Sequence, residues 1–262
     1  MIEFMAMKLS TKKRPERADK MLKEHQLKFS ERVFDNITIQ TLKELMYKGV
    51  FSSLDFPIQH GKEAAVYRGT KSVEGRPVEY VAVKIFKFEG PSFQRRTQYL
   101  EGDKRFSVPG NKRGLVRIFA KKEYANLKLC QEAGMRTPKP IKHKDNVVVM
   151  EFLGEDGVPG ELLKDGEMEK PKETLHLILE DMRRMHNAKL VHVDLSEFNI
   201  IWLGGMPWII DVGQAVLTHH PDAEAFLHND VFNILKYFGK HGVAVEGEKA
   251  LKYIRGEAKD YL

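Results

Sequence analysis

His192-Val193-Asp194-Leu195-Ser196-Glu197-Phe198-Asn199, followed after two apolar runs by Asp211-Val212-Gly213, is the stretch on which the reading of this chain turns. An Asp, an Asn five positions on and a second Asp beyond a hairpin form a spacing suited to phosphoryl transfer. Asp194 can orient an attacking hydroxyl or a water, while Asn199 and Asp211 can hold the metal that bridges nucleotide phosphates. Asp and Asn are also common turn residues, so each piece alone is equally a polar turn between strands. Their order between Val- and Ile-rich runs favours the chemical reading.

Working outward, Ile200-Ile201-Trp202-Leu203, Gly204-Gly205 and Trp208-Ile209-Ile210 spell a hairpin that separates Asn199 from Asp211. Upstream, residues 174–189 place Leu175, Ile178, Leu179, Met182 and Met185 on one helical face. Downstream, helices are expected over 222–238 and 246–256. The first half has another period. Phe56-Pro57-Ile58, Gly61 to Tyr67 and Tyr80 to Phe86 read as strands of one antiparallel sheet, and Val147 to Leu153 as a further strand. A helical stripe of Ala120, Glu123, Leu127 and Cys130 ends at Gly134. Thr41-Leu42-Lys43-Glu44 resembles a capping box and predicts a short helical preface that Gly49 stops. Residues 88–114 have no period and are expected to form a flexible loop.

Lys84 ends a Val-Ala-Val-Lys strand, where a fixed ammonium can neutralise α/β-phosphates if a carboxylate holds it. Glu123, a charge on an inward helical stripe, is costly unless paired and is the expected partner. Gly61-Lys62-Glu63 stands where a phosphate-covering loop belongs, although neither a G-x-G-x-x-G nor a Walker pattern is present. Met150-Glu151-Phe152-Leu153 lies at the junction of two lobes, where strand backbone can meet an adenine edge with Met150 flanking it. Mg²⁺, which takes few protein oxygens beside phosphates and water, suits Asn199 and Asp211. His192 reads as a structural hydrogen-bonding residue, and His219, His220 and His228 as solvated or capping residues.

Bulk composition sets limits. The 262 residues are 42% hydrophobic and 31% charged, and no apolar run approaches the length that spans a membrane. The N-terminus lacks a signal-like apolar core, and the single cysteine, Cys130, excludes an internal disulfide; both point to a cytoplasmic location. The net charge of +6 is readable equally as favouring acidic partners and as mere solubility. Residues 8–32 carry nine Lys/Arg against four Asp/Glu, a basic arm equally readable as a solvated helix face.

Together, Gly61-Lys62-Glu63-Ala64, Val81-Ala82-Val83-Lys84, Lys122-Glu123-Tyr124-Ala125-Asn126-Leu127, the Asp194 loop and Ile209-Ile210-Asp211-Val212-Gly213-Gln214-Ala215 resemble the RIO family of atypical protein kinases, type-one branch, over roughly residues 42–240. The resemblance implies an α+β, two-lobed kinase-like fold that lacks the usual activation segment. Its parts would be an arm and preface (1–50), a small antiparallel β N-lobe (51–153) and a mainly helical C-lobe (154–262). It implies serine autophosphorylation, with Ser107 the first candidate, and use of ATP with Mg²⁺ or Mn²⁺. It also implies work on the small ribosomal subunit precursor and its rRNA, with ATP turnover driving release and Asp211 able to accept phosphate itself. No DNA or membrane partner is expected, and RNA binding should be salt-sensitive. Two departures stand out: Gln59-His60 precedes Gly61 where hydroxyl residues are usual, and Gly213 replaces a frequent Ser. Two other readings stay open, a small-molecule phosphotransferase of the aminoglycoside or choline kinase type and a non-catalytic assembly factor that binds nucleotide.

Overall fold

A computed structural model describes residues 34–88 and 93–261 of the chain, with the side chains of 93–95 left aside. The basic arm read over 8–32 lies outside the described residues.

The N-lobe is a five-stranded antiparallel sheet in the order β1-β2-β3-β5-β4. Its strands are β1 (Ser53–His60), β2 (Ala64–Lys71), β3 (Glu79–Phe86), β4 (Pro140–Lys144) and β5 (Val147–Glu151). Alternation along β3 and β5 sorts their side chains to opposite faces. Val81, Val83, Ile85, Val147 and Val149 pack with Leu42, Leu45 and Phe51. Ala82, Phe86, Val148 and Met150 pack on the other side with Phe119 and Ala120. Both faces are covered, which explains why these strands read as unbroken apolar runs. Lys84 shares the second face, and that face looks toward the cleft.

The first cover is α1 (Asn36–Tyr47). It starts five residues before the expected capping box. Asp35 is the N-cap, its carboxylate accepting from Ile37 N (3.0 Å) and Thr38 N (3.1 Å). Thr41 is buried within the helix and donates from Oγ1 to Asp145 Oδ2 (3.3 Å). The buried Asn146 Nδ2 donates to Thr38 Oγ1 (2.8 Å) and Phe86 O (2.7 Å). The preface helix is thus riveted to the sheet as part of the N-lobe.

The second cover is α2 (Lys112–Glu132), which begins eight residues before the stripe read from Ala120. Asn111 caps it by accepting from Gly114 N (2.7 Å). The stretch 88–114, expected as a loop without regular structure, contains a 3₁₀ helix (Phe93–Leu100) as well as the first turn of α2. The 3₁₀ helix docks on the C-lobe. His220 Nε2 donates to Gln98 O (2.8 Å), His219 Nε2 to Gly102 O (3.1 Å), and Tyr99 packs edge-on against Phe226. Because these tertiary contacts hold it, no local period announces the segment. His220 is therefore buried rather than solvated, with Nδ1 accepting from Asp222 N (3.0 Å). Pro140–Lys144 forms the edge strand β4.

A short hairpin, β6 (Gly154–Glu155) and β7 (Val158–Pro159), links the lobes. In the C-lobe, β8 (Glu161–Leu162) pairs with β10 (Ile200–Leu203), which pairs with β11 (Met206–Ile209) around Gly204 and Gly205, both at positive φ. Helices α3 (Pro171–Asn187), α4 (Ala223–Lys240) and α5 (Gly247–Arg255) bury Ile178, Leu179, Ile234, Phe238 and Ile254 together. Between Asp211 and α4 stands only β12 (Val216–Leu217), paired with β9 (Leu190–Val191), plus a turn. The path has no room for an extended activation segment. Among the described residues no helix is long and apolar enough to cross a membrane.

Leu45→Ala tests whether α1 belongs to the folded unit, because Leu45 is fully buried against the sheet. Urea unfolding is expected to show a loss of about 2–5 kcal/mol. A loss under about 1 kcal/mol would mean that the helix merely rests on the surface.

Candidate active site

The cleft between the lobes holds a cavity of about 550 Å³. Gly61, Lys62, Lys84, Glu123, Met150, Glu151, Leu153 and Asp211 all line it, so eight of the expected residues converge. One end is apolar, walled by Met150, Leu153, Leu162 and Ile201. The chain leaves the sheet after Glu151, so residues 152 and 153 pass along this wall outside any strand pairing. The Glu151 carboxylate turns away and accepts from Lys139 N (3.0 Å), which leaves only its backbone for a ligand.

The other end is charged. Lys84 Nζ donates to Glu123 Oε1 and to Asp211 Oδ1, each at 2.8 Å. Glu123 is 1% exposed and Lys84 7%. Two carboxylates share one ammonium, so the cluster carries an excess negative charge. Burial pushes Glu123 up to about 7; Lys84 opposes the rise and Asp211 adds to it. Burial also works against the Lys84 ammonium, but Asp211 and Glu123 outweigh it and hold its pKa above the ordinary lysine value. For Asp211 burial is likewise overcome by Lys84, and its pKa falls below the usual carboxylate range.

Asp211 has φ +60°, a left-handed conformation costly for a residue other than glycine. Helix α2 holds the turn that follows. Lys122 Nζ donates to Gly213 O (3.4 Å), Gln214 O (3.1 Å) and Ala215 O (2.5 Å). Asn126 Nδ2 donates to Val212 O (2.9 Å) and Ala215 O (3.1 Å). Asn126 Oδ1 in turn accepts from Arg105, which Asp103 grips through two nitrogens. Gly213 lies close to the helix, and a Cβ there would meet Glu123 Oε2 at 3.1 Å. That oxygen is buried and has no hydrogen-bond partner among the described residues.

The Asp194 loop has its own anchor. Val193 sits at φ +81°, a strained position for a β-branched residue. Asp230, 1% exposed on α4, accepts from Val193 N (2.9 Å) and Leu195 N (2.8 Å) and so fixes the turn. Leu195 is buried, while Asp194 beside it is exposed. Asn199 Nδ2 donates to Asp194 O (2.7 Å) and Oδ2 (3.4 Å). Asp194 and Asn199 do not line the cavity wall. They join it through the hairpin, where Ile210 N donates to Asn199 O (3.0 Å) and sets Asn199 beside the residue before Asp211. His192 is structural as expected, with Nε2 donating to Ile210 O (3.0 Å). No group of three or more His, Cys, Asp or Glu that could hold a metal ion occurs among the described residues. A hard cation would take Asn199 Oδ1 and Asp211 Oδ2, since the amide nitrogen and Oδ1, respectively, make the contacts seen here. The orphan Oε2 of Glu123 marks the same end as one built to receive polar atoms.

Four residues of the site escaped the sequence reading. Lys122 and Asn126 stand inside a motif quoted for its resemblance, yet both are fully buried polar groups on the stripe of Phe119, Ala120 and Leu127. Asp230 falls among Leu227, Val231 and Ile234, and a carboxylate on such a stripe is the same signal that exposed Glu123. Arg96, which lines the cavity, lies in the stretch without a period and carried no signal.

A model of the RIO domain matches residues 65–251. The RIO-type serine/threonine-protein kinase Rio1 of Haloferax volcanii is 39% identical over 233 residues, covering 88% of this chain and 79% of its own. The Rio1 of Thermoplasma acidophilum is 36% identical over 186 residues, covering 71% and 97%. The human serine/threonine-protein kinase RIO1 is 38% identical over 222 residues, but the match spans only 38% of the human protein. Among solved structures, the Rio2 kinase of Chaetomium thermophilum in an ADP/Mg²⁺-phosphoaspartate complex superposes with a TM-score of 0.64. Its sequence identity is 22%, and the match covers 85% of this chain and 68% of that one. It shares the fold.

Burial pushes the Asp230 carboxyl up to about 6, His192 opposing the rise. Between its unfolded value near 4 and this folded value, the native state binds the extra proton, so this residue's contribution to stability falls as pH rises from about 4 to 6. The stability difference between wild type and Asp230→Asn is expected to shrink by on the order of 2 kcal/mol across that window. A difference that stays constant with pH would place the Asp230 carboxyl in an ordinary aqueous setting.

Proposed function

Because the chain belongs to the RIO family of atypical serine/threonine protein kinases, in its Rio1 branch, we propose that its cleft binds ATP with Mg²⁺ and transfers the terminal phosphoryl group to a serine hydroxyl or to water. The observation that carries this reading is Lys84 bridging Glu123 and Asp211 at the charged end of a cavity whose other end is apolar. Adenine suits the apolar end, beside the backbone of 151–153 and the Met150 side chain. The phosphates suit the end that holds Gly61, Lys62 and Lys84.

Mg²⁺, when bound, neutralises charge on the phosphate oxygens. Asn199 and Asp211 would hold it, and Mn²⁺ meets the same oxygen donors. Lys84 is fixed by two carboxylates before any ligand arrives, so it needs little reorganisation to face the phosphates. Asp194, exposed and steadied by the Asp230 anchor, receives the hydroxyl proton as the new O–P bond forms and the bond to the β-phosphate oxygen breaks. ADP leaves. With water in place of serine the same steps yield free phosphate, and the Asp211 carboxylate is a third acceptor.

Autophosphorylation on Ser107 accords with its exposure between the buried Phe106 and α2. We assign the chain to cytoplasmic maturation of the small ribosomal subunit, with the precursor and its rRNA as partners. The net charge of +6 supports salt-sensitive RNA contact. The Rio1-type relatives, named serine/threonine-protein kinases, favour a protein hydroxyl over a small-molecule acceptor.

The test uses γ-labelled ATP and Mg²⁺ with wild type, Asp194→Ala and Asp211→Ala, with and without small-subunit precursor. Asp194→Ala is expected to lower transfer about 100-fold or more while ATP still binds. Free phosphate that rises with precursor indicates an ATPase cycle, and label on a ribosomal protein indicates substrate phosphorylation. Neither label nor phosphate from wild type, despite ATP binding, would contradict the enzymatic reading and leave a nucleotide-binding assembly factor.

A further inference from the structure

The charged end of the cavity contains a third cation with no assigned role. Arg96 lines the cavity from the 3₁₀ helix and pairs with Glu63 at 2.5 Å. The pair is half-withdrawn from water, with side-chain exposures of 27% for Arg96 and 14% for Glu63. Arg96 lines the same cavity as Lys84, Glu123 and Asp211, and its partner Glu63 adjoins Gly61-Lys62, so it stands at the phosphate end. Its helix is anchored on the opposite lobe through Gln98, Tyr99 and Gly102, so Arg96 spans the cleft mouth from the C-lobe toward Glu63 in the N-lobe.

Charge balance gives this arginine a task. A triphosphate carries about four negative charges, of which a divalent metal cancels two, so two protein cations are wanted. Lys84 is already shared by Glu123 and Asp211. Lys62 and Arg96 remain on the cavity wall. Of the two, the planar guanidinium fork matches two phosphate oxygens at once, a recognition an ammonium cannot copy. The Glu63 carboxylate, with the same bidentate shape, keeps that fork oriented before the ligand arrives.

We propose that Arg96 is the ligand of the terminal phosphate, exchanging Glu63 for it when a nucleoside triphosphate binds; the assignment rests on the nucleotide reading above. It makes the 3₁₀ helix that carries Arg96 a sensor of the third phosphate, one that distinguishes triphosphate from diphosphate.

Calorimetric titration of the 262-residue chain with adenosine, ADP and ATP in Mg²⁺ tests this on wild type, Arg96→Ala, Arg96→Lys and Glu63→Gln. Arg96→Ala is expected to weaken ATP about tenfold or more, to weaken ADP far less and to leave adenosine unchanged. Arg96→Lys should restore part of the loss. Glu63→Gln, by releasing the guanidinium, should tighten ATP and leave adenosine alone. Equal loss for all three ligands in Arg96→Ala, or no loss for any, would overturn the proposal. A wild type that binds ADP and adenosine but gains nothing from the third phosphate would overturn it too. A wild type that binds none of the three would overturn the nucleotide reading itself, and the assignment of Arg96 with it.

Discussion

A buried ammonium must find carboxylates or give up its charge, and the architecture of this chain satisfies that demand at Lys84. Each of the three members of the triad comes from a different part of the fold. Lys84 is on β3, Glu123 is on α2, and Asp211 follows the C-lobe hairpin. Bringing them within 2.8 Å fixes the helix against the sheet and one lobe against the other. Helix α2 does more than carry Glu123. Lys122 and Asn126 grip the carbonyls of 212–215, so one helix positions both the Asp211 turn and the carboxylate that shares its lysine. The desolvation cost of three buried polar side chains in one turn and a half is offset because each has partners outside the helix, Glu123 on β3 and the other two across the lobe boundary.

Two of the five non-glycine residues at positive φ among the described residues stand at the site. Val193 and Asp211, one residue before Asp194 and at the metal-binding candidate itself, occupy left-handed conformations that cost on the order of 1–3 kcal/mol each. Such conformations persist only when surroundings over-determine them. Asp230 accepts two backbone N–H groups around Val193, and the Lys122–Asn126 clamp holds the residues after Asp211. The C-lobe helix α4 and the N-lobe helix α2 thus act as parallel supports, one for each acidic residue of the site.

Legibility in the sequence followed the kind of physics involved. The β3 and β5 strands, the glycine hairpin and the three C-lobe helices rest on local periodicity and turn chemistry, and could be read directly. Glu123 could be read because a charge on an apolar stripe demands a partner, and Lys84 of the Val-Ala-Val-Lys run needed a carboxylate in turn. The same logic applied to Asp230 and Lys122 would have found them, but their partners are backbone groups more than 30 residues away and leave no mark in local sequence. The start of α1 was misplaced because Thr41 and Glu44 mimic a cap, whereas Asp35 is the residue that makes the bonds. Arg96 and the 3₁₀ helix were illegible for a stronger reason. Their order comes from His219, His220 and Phe226 on the far lobe, and no window of sequence holds both sides of those contacts.

The central claim, that Lys84 couples Glu123 to Asp211 and thereby joins the lobes, is tested most directly by a double-mutant cycle in the nucleotide-free chain. Unfolding free energies would be measured for wild type, Glu123→Gln, Asp211→Asn and the double variant. Each single change leaves Lys84 one carboxylate and removes the repulsion between the two acids, while the double change leaves a buried ammonium with neither. The double variant is therefore predicted to lose more than the sum of the single variants, by about 1 kcal/mol or more. Additivity within about 0.3–0.5 kcal/mol would contradict the account, because it would mean that the two carboxylates do not meet at Lys84.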